Sequence, residues 1–144
     1  MVTVRQLLAR KGNAVHHVDP ESSVLDALRL MAQHDVGALV VLDRGDLIGL
    51  VSERDYARKV ILRGKHSDET RVREIMDDKP VCVRSLQSIE DCMQLITDRR
   101  TRHLPVVENG QVAGLISIGD VVKAIIADRE TTIDELQQYI QNAR

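Results

Sequence analysis

The feature that most constrains this chain is an internal duplication. Residues 18–60 align with residues 83–125 at a constant offset of 65, without a gap, and eleven of the 43 aligned positions are identical. An ungapped match of this length indicates two copies of one supersecondary unit. A single unit of about 60 residues would bury too little of its surface to be stable alone, so we expect the two copies to pack together.

Helices are predicted at equivalent places in both copies. Ser23 is followed three positions later by Asp26, and Ser88 by Asp91, and apolar residues recur at helical spacing after each serine. Serine with an acid at this spacing is typical of a helix N-terminus, and the apolar periodicity is typical of a helix with one buried face. A second helix is expected to begin near Ser52 in the first copy and at the equivalent place in the second.

Strands account for the remaining apolar segments. Short apolar segments at 15–18 and 81–83 predict one strand before the first helix of each copy. The strands of a hairpin are predicted at 38–42 and 47–51 in the first copy and at 104–107 and 112–116 in the second. The predicted fold class is therefore α/β (α+β), with two βαββα repeats packed about a pseudo-two-fold axis and additional helices at the termini.

The duplication also divides the chain into segments. A weaker similarity links residues 4–8 to 72–76, ahead of the two copies, so the N-terminal segment is interpreted as folded and not as a cleaved leader. We predict a first repeat with an N-terminal helix at 1–66, a second repeat at 67–128 and a C-terminal amphipathic helix at 129–144.

The predicted C-terminal helix has an apolar face with no partner left in the sequence. Thr132 and Glu135 have the spacing of a capping box, and Ile133, Leu136 and Ile140 lie on one helical face. This face is expected to pack on the domain or on another subunit.

Composition excludes several classes of function. The chain has 20 basic and 22 acidic residues, so its overall charge favours neither nucleic acid nor an acidic membrane. Phe and Trp are absent, which excludes recognition by stacked aromatic side chains. The longest apolar run, 38–42, is too short to cross a bilayer, and Cys82 and Cys92 have no metal-ligand spacing with the histidines. We expect a soluble cytoplasmic protein with reduced, largely buried thiols and no metal.

The junction between the hairpin and the following helix is the best candidate site in each copy. It reads G-L-V-S-E-R-D at residues 49–55 and G-L-I-S-I-G-D at residues 114–120. A serine hydroxyl and free amides at a helix start favour a phosphate, and an aspartate one turn later can accept both hydroxyls of a ribose. The same spacing is that of an ordinary capping box, so Ser52 and Asp55 could equally be structural. P-loop and Rossmann motifs are absent from the sequence.

These junctions, together with G-A-L-V-V at 37–41 and R-H-L-P-V-V at 102–107, resemble a tandem pair of CBS domains, the cystathionine-β-synthase-type regulatory module. The resemblance covers nearly the whole chain. The chain is most similar to stand-alone CBS-pair proteins, in which the sequence S-E-R-D-Y-A-R-K, here residues 52–59, is common. The resemblance implies a non-catalytic, ligand-sensing module. It would bind AMP, ADP, ATP, NAD or S-adenosylmethionine between the repeats, signal to a partner protein and form a homodimer. The alternative is a constitutive interaction scaffold, or a regulator of a thioredoxin-type partner, that acts without nucleotide.

The resemblance also assigns roles to individual positions. The junction aspartate of the family usually holds the ribose and its serine or threonine lies near phosphate or ribose, and both copies keep both residues. The adenine commonly lies against the region of the first strand, which points to residues 13–16 and 79–81. With the charged residues considered next, the candidate ligand-binding residues are Ser52, Arg54, Asp55, Lys79, Pro80, Val81, Arg102, His103, Pro105, Ser117 and Asp120.

Basic residues are distributed unequally between the two copies. Arg54, Arg58 and Lys59 follow the junction of the first copy, and residues 99–103 of the second copy hold three arginines and His103. The equivalent positions of the opposite copy lack most of this charge. If the pseudo-two-fold packing brings these segments together, one cleft gathers most of the charge and should prefer a more highly phosphorylated or dinucleotide ligand.

Overall fold

The computed structural model describes residues 1–142 as a mixed α/β structure. The helices are α1 (Val4–Lys11), α2 (Val24–His34), α3 (Glu53–Lys59), α4 (Val72–Ile75), α5 (Ile89–Arg99) and α6 (Ile118–Asn142), with a short 3₁₀ turn at Ile61–Arg63. The strands are β1 (His17–Val18), β2 (Ala38–Asp43), β3 (Asp46–Ser52), β4 (His103–Glu108) and β5 (Gln111–Ser117). Both repeats follow the predicted order of elements, with the first strand of each repeat shorter than predicted.

The two repeats differ in the first strand of their sheets. In the first repeat, β1 runs parallel to β2, and β2 pairs with β3 in an antiparallel hairpin. In the second repeat, β4 and β5 form the hairpin, and the strand predicted at 81–83 is reduced to one parallel bridge between Val83 and Val106. The N–H of Val83 donates to the carbonyl of Pro105 and its carbonyl accepts from Val107, both at 2.9 Å. The predicted fold class is confirmed, with a shorter strand at this position.

Both hairpins close through two-residue turns in the left-handed region of the backbone. Arg44 and Gly45 have φ angles of 53° and 86°, and Asn109 and Gly110 have φ angles of 52° and 77°. Positive φ at both central residues is the type I′ geometry, whose twist matches that of the paired strands. The predicted hairpins are therefore confirmed.

The helix that precedes each repeat packs against the other repeat. Leu7 and Leu8 of α1 are buried in the core of the second repeat, and Val72 and Ile75 of α4 are buried in the core of the first. The sequence groups α1 with the first repeat because the two are continuous in the chain, but in space α1 belongs with the second. A smaller apolar cluster that includes Leu50 joins the two repeats. This exchange makes each repeat depend on a segment of the other for its core.

The C-terminal part of the chain continues α6 and does not start a new helix. Residues 129–142 are helical as predicted, but the predicted helix start at Thr132 is wrong, because α6 runs without interruption for 25 residues. Thr132 does not cap a helix; its hydroxyl donates to the carbonyl of Asp128 at 3.0 Å. Residues 143 and 144 of the predicted segment lie outside the described residues. The exposed apolar residues beyond the middle of α6 are Ile133, Leu136, Tyr139 and Ile140, and Ile126 is exposed in its first half.

None of the helices described over residues 1–142 combines the length and the apolar character needed to span a membrane.

Candidate functional site

A cleft of about 660 Å³ lies between the two repeats. One wall is the β3–α3 junction of the first repeat, and the other is the segment that connects α5 to β4 in the second. We call it the first cleft. Its lining residues are Gly37, Ser52, Glu53, Arg54, Asp55, Arg58, Lys59, Asp77, Arg99, Arg100, Thr101, Arg102 and His103.

The junction wall is held by a complete capping box at the start of α3. The hydroxyl oxygen of Ser52 accepts from the backbone N–H of Asp55 at 3.2 Å, and Oδ2 of Asp55 accepts from the backbone N–H and the hydroxyl of Ser52 at 2.9 and 3.0 Å. Oδ1 of Asp55 lies 3.2 Å from Nζ of Lys59, which also donates to the carbonyl of Ile75 at 2.9 Å. The capping role is therefore present, and the same carboxylate lines the cleft.

The opposite wall is basic because the end of α5 and the residues after it contribute Arg99, Arg100 and Arg102 to the cleft. Arg100 adopts a φ of 52° and ends the helix in the left-handed conformation, after which the chain turns into β4 at His103. The lining of the first cleft combines six arginine or lysine side chains and one histidine with three acidic side chains. The structure thus brings together the two basic segments whose complementary distribution is visible in the sequence.

His103 lies at the boundary between the first cleft and the junction of the second repeat. Its Nε2 is 3.6 Å from the position that a Cβ would take on Gly37. Burial lowers the pKa of His103, the charge of Lys11 lowers it further, Asp120 opposes this and Arg102 adds to it. The imidazole is therefore neutral at neutral pH, with one nitrogen that donates and one that accepts.

The junction of the second repeat holds a side chain of α1. Nζ of Lys11 donates to Oδ2 of Asp120 at 2.5 Å and to the carbonyl of Leu115 at 2.7 Å. The same Oδ2 accepts from the backbone N–H of Ser117 at 2.8 Å. Burial raises the pKa of Asp120, but the hydrogen bonds from Lys11 and Ser117 outweigh it and bring the pKa below its ordinary value. The carboxylate is therefore charged and paired.

A separate cavity of about 370 Å³ lies beside this junction, between α1 and α6. We call it, together with the Ser117–Asp120 junction, the second cleft. The residues that line the cavity are Val2, Leu7, Arg10, Lys11, Asp120, Lys123, Ala124 and Ala127. Its lining is more apolar than that of the first cleft, and its charged residues are Arg10, Lys11, Asp120 and Lys123.

Comparison with known proteins identifies the repeated unit. The profile of the CBS domain matches residues 2–62 and again residues 72–127. The chain belongs to the CBS domain family. The mitochondrial CBS domain-containing protein CBSX3 of Arabidopsis thaliana is 41% identical over 126 residues, which cover 84% of this chain and 61% of that protein. This chain therefore spans about three fifths of that CBS relative.

Solved structures of CBS proteins have the same fold. A candidate signal-transduction protein with CBS domains from Burkholderia ambifaria is 48% identical, with a TM-score of 0.85 over 88% of this chain and 96% of that one. A hexameric CBS-CP12 protein from bloom-forming cyanobacteria is 27% identical, with a TM-score of 0.76 over 84% of this chain and 70% of that one. The predicted family and the predicted fold are both confirmed.

The clefts of this CBS pair contain part of the predicted site. The predicted residues that line the first cleft are Ser52, Arg54, Asp55, Arg102 and His103, and Asp120 lines the second. Among the described residues, those predicted at 79–81 line neither cavity. The backbone N–H of Lys79 instead donates to Asp77 at 3.0 Å, and Val81 packs against the core of the second repeat. Pro80 lies half-buried between these two residues.

Two further residues predicted to bind the ligand line neither cavity and instead take part in the backbone structure. Pro105 is buried within β4, where its carbonyl receives the N–H of Val83. Ser117 caps α6 by accepting the backbone N–H of Asp120 at 3.1 Å. Residues that reach the clefts without having been predicted include Lys11, Asp77 and Thr101. Thr101 falls within the basic segment seen in the sequence, but nothing in the sequence places Lys11 at the opposite repeat.

The two cysteines have different surroundings. Cys92 is buried as predicted, whereas Cys82 is exposed, so the prediction of two buried thiols is wrong for Cys82. Burial raises the pKa of Cys92 to about 11, with smaller contributions from Asp91 and Glu90. Although Cys82 is exposed at the surface, partial desolvation of its thiol and the charge of Asp77 also raise its pKa. Both thiols are therefore protonated and weakly nucleophilic at neutral pH.

Proposed function

We propose that this CBS pair is a regulatory module that binds an adenosine nucleotide with two or more phosphates, or a dinucleotide such as NAD, in the first cleft. The observation that carries the proposal is the convergence of six arginine and lysine side chains with the Ser52–Asp55 junction on one cavity. Asp55 would accept the hydroxyls of the ribose, and the cations of both walls would bind the phosphates.

The charge of the cleft sets the expected order of ligands. Each additional phosphate adds negative charge to the ligand. It therefore gains electrostatic attraction to the arginines in the segment between α5 and β4. ATP and ADP should therefore bind more tightly than AMP, whereas NAD, whose nicotinamide cation offsets one of its two phosphate charges, should gain from contact with both walls and not from net charge. S-adenosylmethionine carries a positive sulfonium and should bind most weakly of the adenosyl compounds.

Regulation would follow from the position of the cleft between the repeats. Its walls come from both repeats, so a ligand that contacts both walls favours the pose in which they are at the right separation. A partner protein that contacts both repeats could then distinguish the bound pose from the free one. The proposed role is one of binding, so ATP should be recovered unchanged after incubation with the protein.

Thermal and chemical unfolding in the presence of each ligand tests the proposal. A ligand at 100 times its dissociation constant adds about 2.7 kcal/mol to the free energy of unfolding when it binds only the folded state. We expect the largest stabilisation from ATP, ADP or NAD. The absence of stabilisation by every adenosyl compound would overturn the proposal.

Matched variants separate the contribution of the cleft from general charge effects. Arg100→Gln and Arg102→Gln should weaken ATP binding more than AMP binding, because they remove contacts to the additional phosphates. Arg84→Gln is the control, because Arg84 is exposed outside the first cleft. Asp55→Asn should weaken all the ligands, since the ribose is common to them.

The alternative is a constitutive interaction scaffold, and one observation favours it. Asp55 and Asp120 are both engaged in capping their own helices, as a purely structural role requires. A scaffold would lose stability in Asp55→Asn without any change in its response to nucleotides, and it would retain its partner in nucleotide-free buffer. Regulation of a thioredoxin-type partner through thiol exchange is less favoured, because the pKa values of both thiols are raised.

The assembly and location of the protein are also part of the proposal. We propose a homodimer, supported by the exposed apolar residues of α6 and by the existence of a hexameric CBS-CP12 relative. A cytoplasmic location remains the expectation from sequence, and the Arabidopsis relative is named as mitochondrial. Fractionation of cells that express the tagged full-length protein would distinguish the two locations.

A further inference from the structure

The two junction aspartates are paired with lysines in different ways. In the first cleft, Lys59 lies one turn beyond Asp55 on the same helix, and the closest approach is 3.2 Å to Oδ1. In the second cleft, Lys11 comes from α1, 109 positions away in sequence, and donates to Oδ2 of Asp120 at 2.5 Å. Lys11 therefore reaches the second junction from a different element, α1, whereas Lys59 lies on the same helix as the aspartate with which it pairs.

A second hydrogen bond holds Lys11 in this position. Its ammonium also donates to the carbonyl of Leu115, the last but two residue of β5, at 2.7 Å. The buried residues Leu7 and Leu8 anchor the rest of α1 in the core of the second repeat. Two of the three N–H donors of the Lys11 ammonium are thus used within the junction. The packing of α1 holds the residue in place.

The second cleft also has fewer cations than the first. At the constant offset of the repeats, Gly119 replaces Arg54 and Ala124 replaces Lys59. The residues equivalent to Arg100 and Arg102 in the first repeat are Asp35 and Gly37, and neither lines the second cavity. The lining of the second cavity holds three cations, Arg10, Lys11 and Lys123, against six in the first cleft, so phosphates bound there would meet fewer positive charges.

We propose that Lys11 is an internal competitor that closes the second cleft to ribose, so that each chain binds a single nucleotide, in the first cleft. The inference rests on the proposed function, because it takes the junction aspartate as the group that receives ribose hydroxyls. A hydroxyl that approached Oδ2 of Asp120 would have to displace a charged donor at 2.5 Å, a closer contact than the 3.2 Å between Lys59 and Asp55 in the first cleft. A hydrogen bond with a charged partner contributes about 1.5–3 kcal/mol, which corresponds to roughly 10- to 100-fold in affinity.

Equilibrium dialysis against ATP and, separately, against adenosine tests this role of Lys11. The wild-type chain should bind one equivalent of ATP. Lys11→Met keeps the length and the apolar stem of the side chain but removes the ammonium, so it should gain a second, weaker equivalent of adenosine, with an affinity 10- to 100-fold above that of the wild type at this cleft. Lys11→Gln provides a second neutral variant if the methionine variant does not fold, and circular dichroism monitors folding in both.

Two control variants make the outcome specific. Lys123→Met removes a lysine that lines the same cavity, and no hydrogen bond from Lys123 to Asp120 is seen among the described residues, so it should bind as the wild type does. Adding Asp120→Asn to Lys11→Met keeps a capping side chain at this position but removes the carboxylate, so the second equivalent should be lost.

The possible results separate the inference from the proposed function. Two equivalents of ATP in the wild type, or no second adenosine site in either neutral variant of Lys11, would overturn the inference and leave nucleotide binding at the first cleft intact. Failure of the wild type to bind any nucleotide would overturn the proposed function itself. One equivalent of ATP in the wild type, together with two equivalents of adenosine in Lys11→Met, would support both the inference and the proposed function.

Discussion

His103 is the half-buried residue through which the two clefts are electrostatically connected. Burial and the charge of Lys11 lower its pKa, Asp120 opposes them, and Arg102 lowers it again. Glu53 of α3 also comes close, since its Oε1 lies 3.4 Å from the same Cβ position of Gly37 that His103 approaches. The protonation state of this one imidazole therefore depends on groups from the second repeat and from α1.

The lowered pKa of His103 predicts a pH dependence of stability. The unfolded chain takes up a proton near pH 6.5, whereas the folded state takes it up only at a lower pH. The free energy of unfolding should therefore fall as the pH decreases from above 6.5, until the folded state is protonated as well. Urea unfolding between pH 7.5 and pH 5 measures this, and His103→Gln should flatten the slope.

A second histidine contributes in the same direction and serves as the comparison. Burial, with the charges of His34 and His17, lowers the pKa of His16, which stacks on His34 at 3.7 Å between ring centroids. His16→Gln should therefore remove a separate part of the slope. If His103→Gln and the wild type have the same slope, the surroundings of His103 do not depress its pKa.

Single residues differ in how well the sequence anticipates them. Ser52 and Asp55 are predictable because a capping box is local, and its hydrogen bonds join residues three positions apart. The contact of Lys11 with Asp120 is not predictable in this way, because it depends on α1 crossing to the second repeat. Local patterns therefore identify the junctions but do not indicate what occupies them.

At the scale of elements, equivalent glycines of the two repeats allow close approach of the exchanged segments. A Cβ on Gly49 would lie 2.6 Å from Sδ of Met76 and 2.9 Å from the backbone carbonyl oxygen of Asp77. A Cβ on Gly114 would lie 2.8 Å from a methyl carbon of Leu8. In each repeat, the second hairpin strand is thus in tight contact with the segment that enters from the other side.

The two glycines predict unequal costs for the same substitution. Gly49→Ala should lower the free energy of unfolding by about 1–3 kcal/mol, because backbone as well as side chain must move. Gly114→Ala should cost less, because the methyl groups of Leu8 can rotate away. Chemical unfolding of both variants measures the difference, and an equal or reversed order would show that the backbone at Asp77 yields as easily as a leucine side chain.

The elements that the sequence predicts correctly are those set by local patterns. The turn of the second hairpin follows from Asn109-Gly110, and α2 and α5 follow from their apolar periodicity and from the serines that cap them. The prediction of a helix start at Thr132 is wrong because the threonine hydroxyl has an alternative partner, the carbonyl four residues earlier. The pattern of a capping box does not distinguish these two uses of a hydroxyl.

At the scale of the whole molecule, the exchange of α1 and α4 makes the pair of repeats one folding unit. Each core includes buried residues from a segment that precedes the other repeat. The duplication predicts that two units pack together, but it does not reveal the exchange, because the segments at 4–8 and 72–76 are only weakly similar and lie outside the ungapped match. The exchange in turn places Lys11 at the second junction, where it donates to Asp120.

The exposed apolar face of α6 predicts that the molecule associates with a second copy. The beginning of α6 packs on α5 and α1 and buries Val121, so truncation after Asp128 leaves this part of the core in place while it removes Ile133 and Leu136. Sedimentation analysis of the truncated chain should then show a shift toward the monomer. Leu136→Glu in the full chain should have the same effect, because a charged side chain on this face would disrupt the apolar contact between the two copies.

A control variant at another exposed leucine makes this prediction specific to α6. Leu86 is 78% exposed and lies outside the helix, so Leu86→Glu tests whether any new surface charge alters association. If Leu136→Glu and the truncated chain sediment as the wild type does, α6 has no role in assembly. If all three weaken association, the interface extends to the second repeat, and the C-terminal helix is only one part of it.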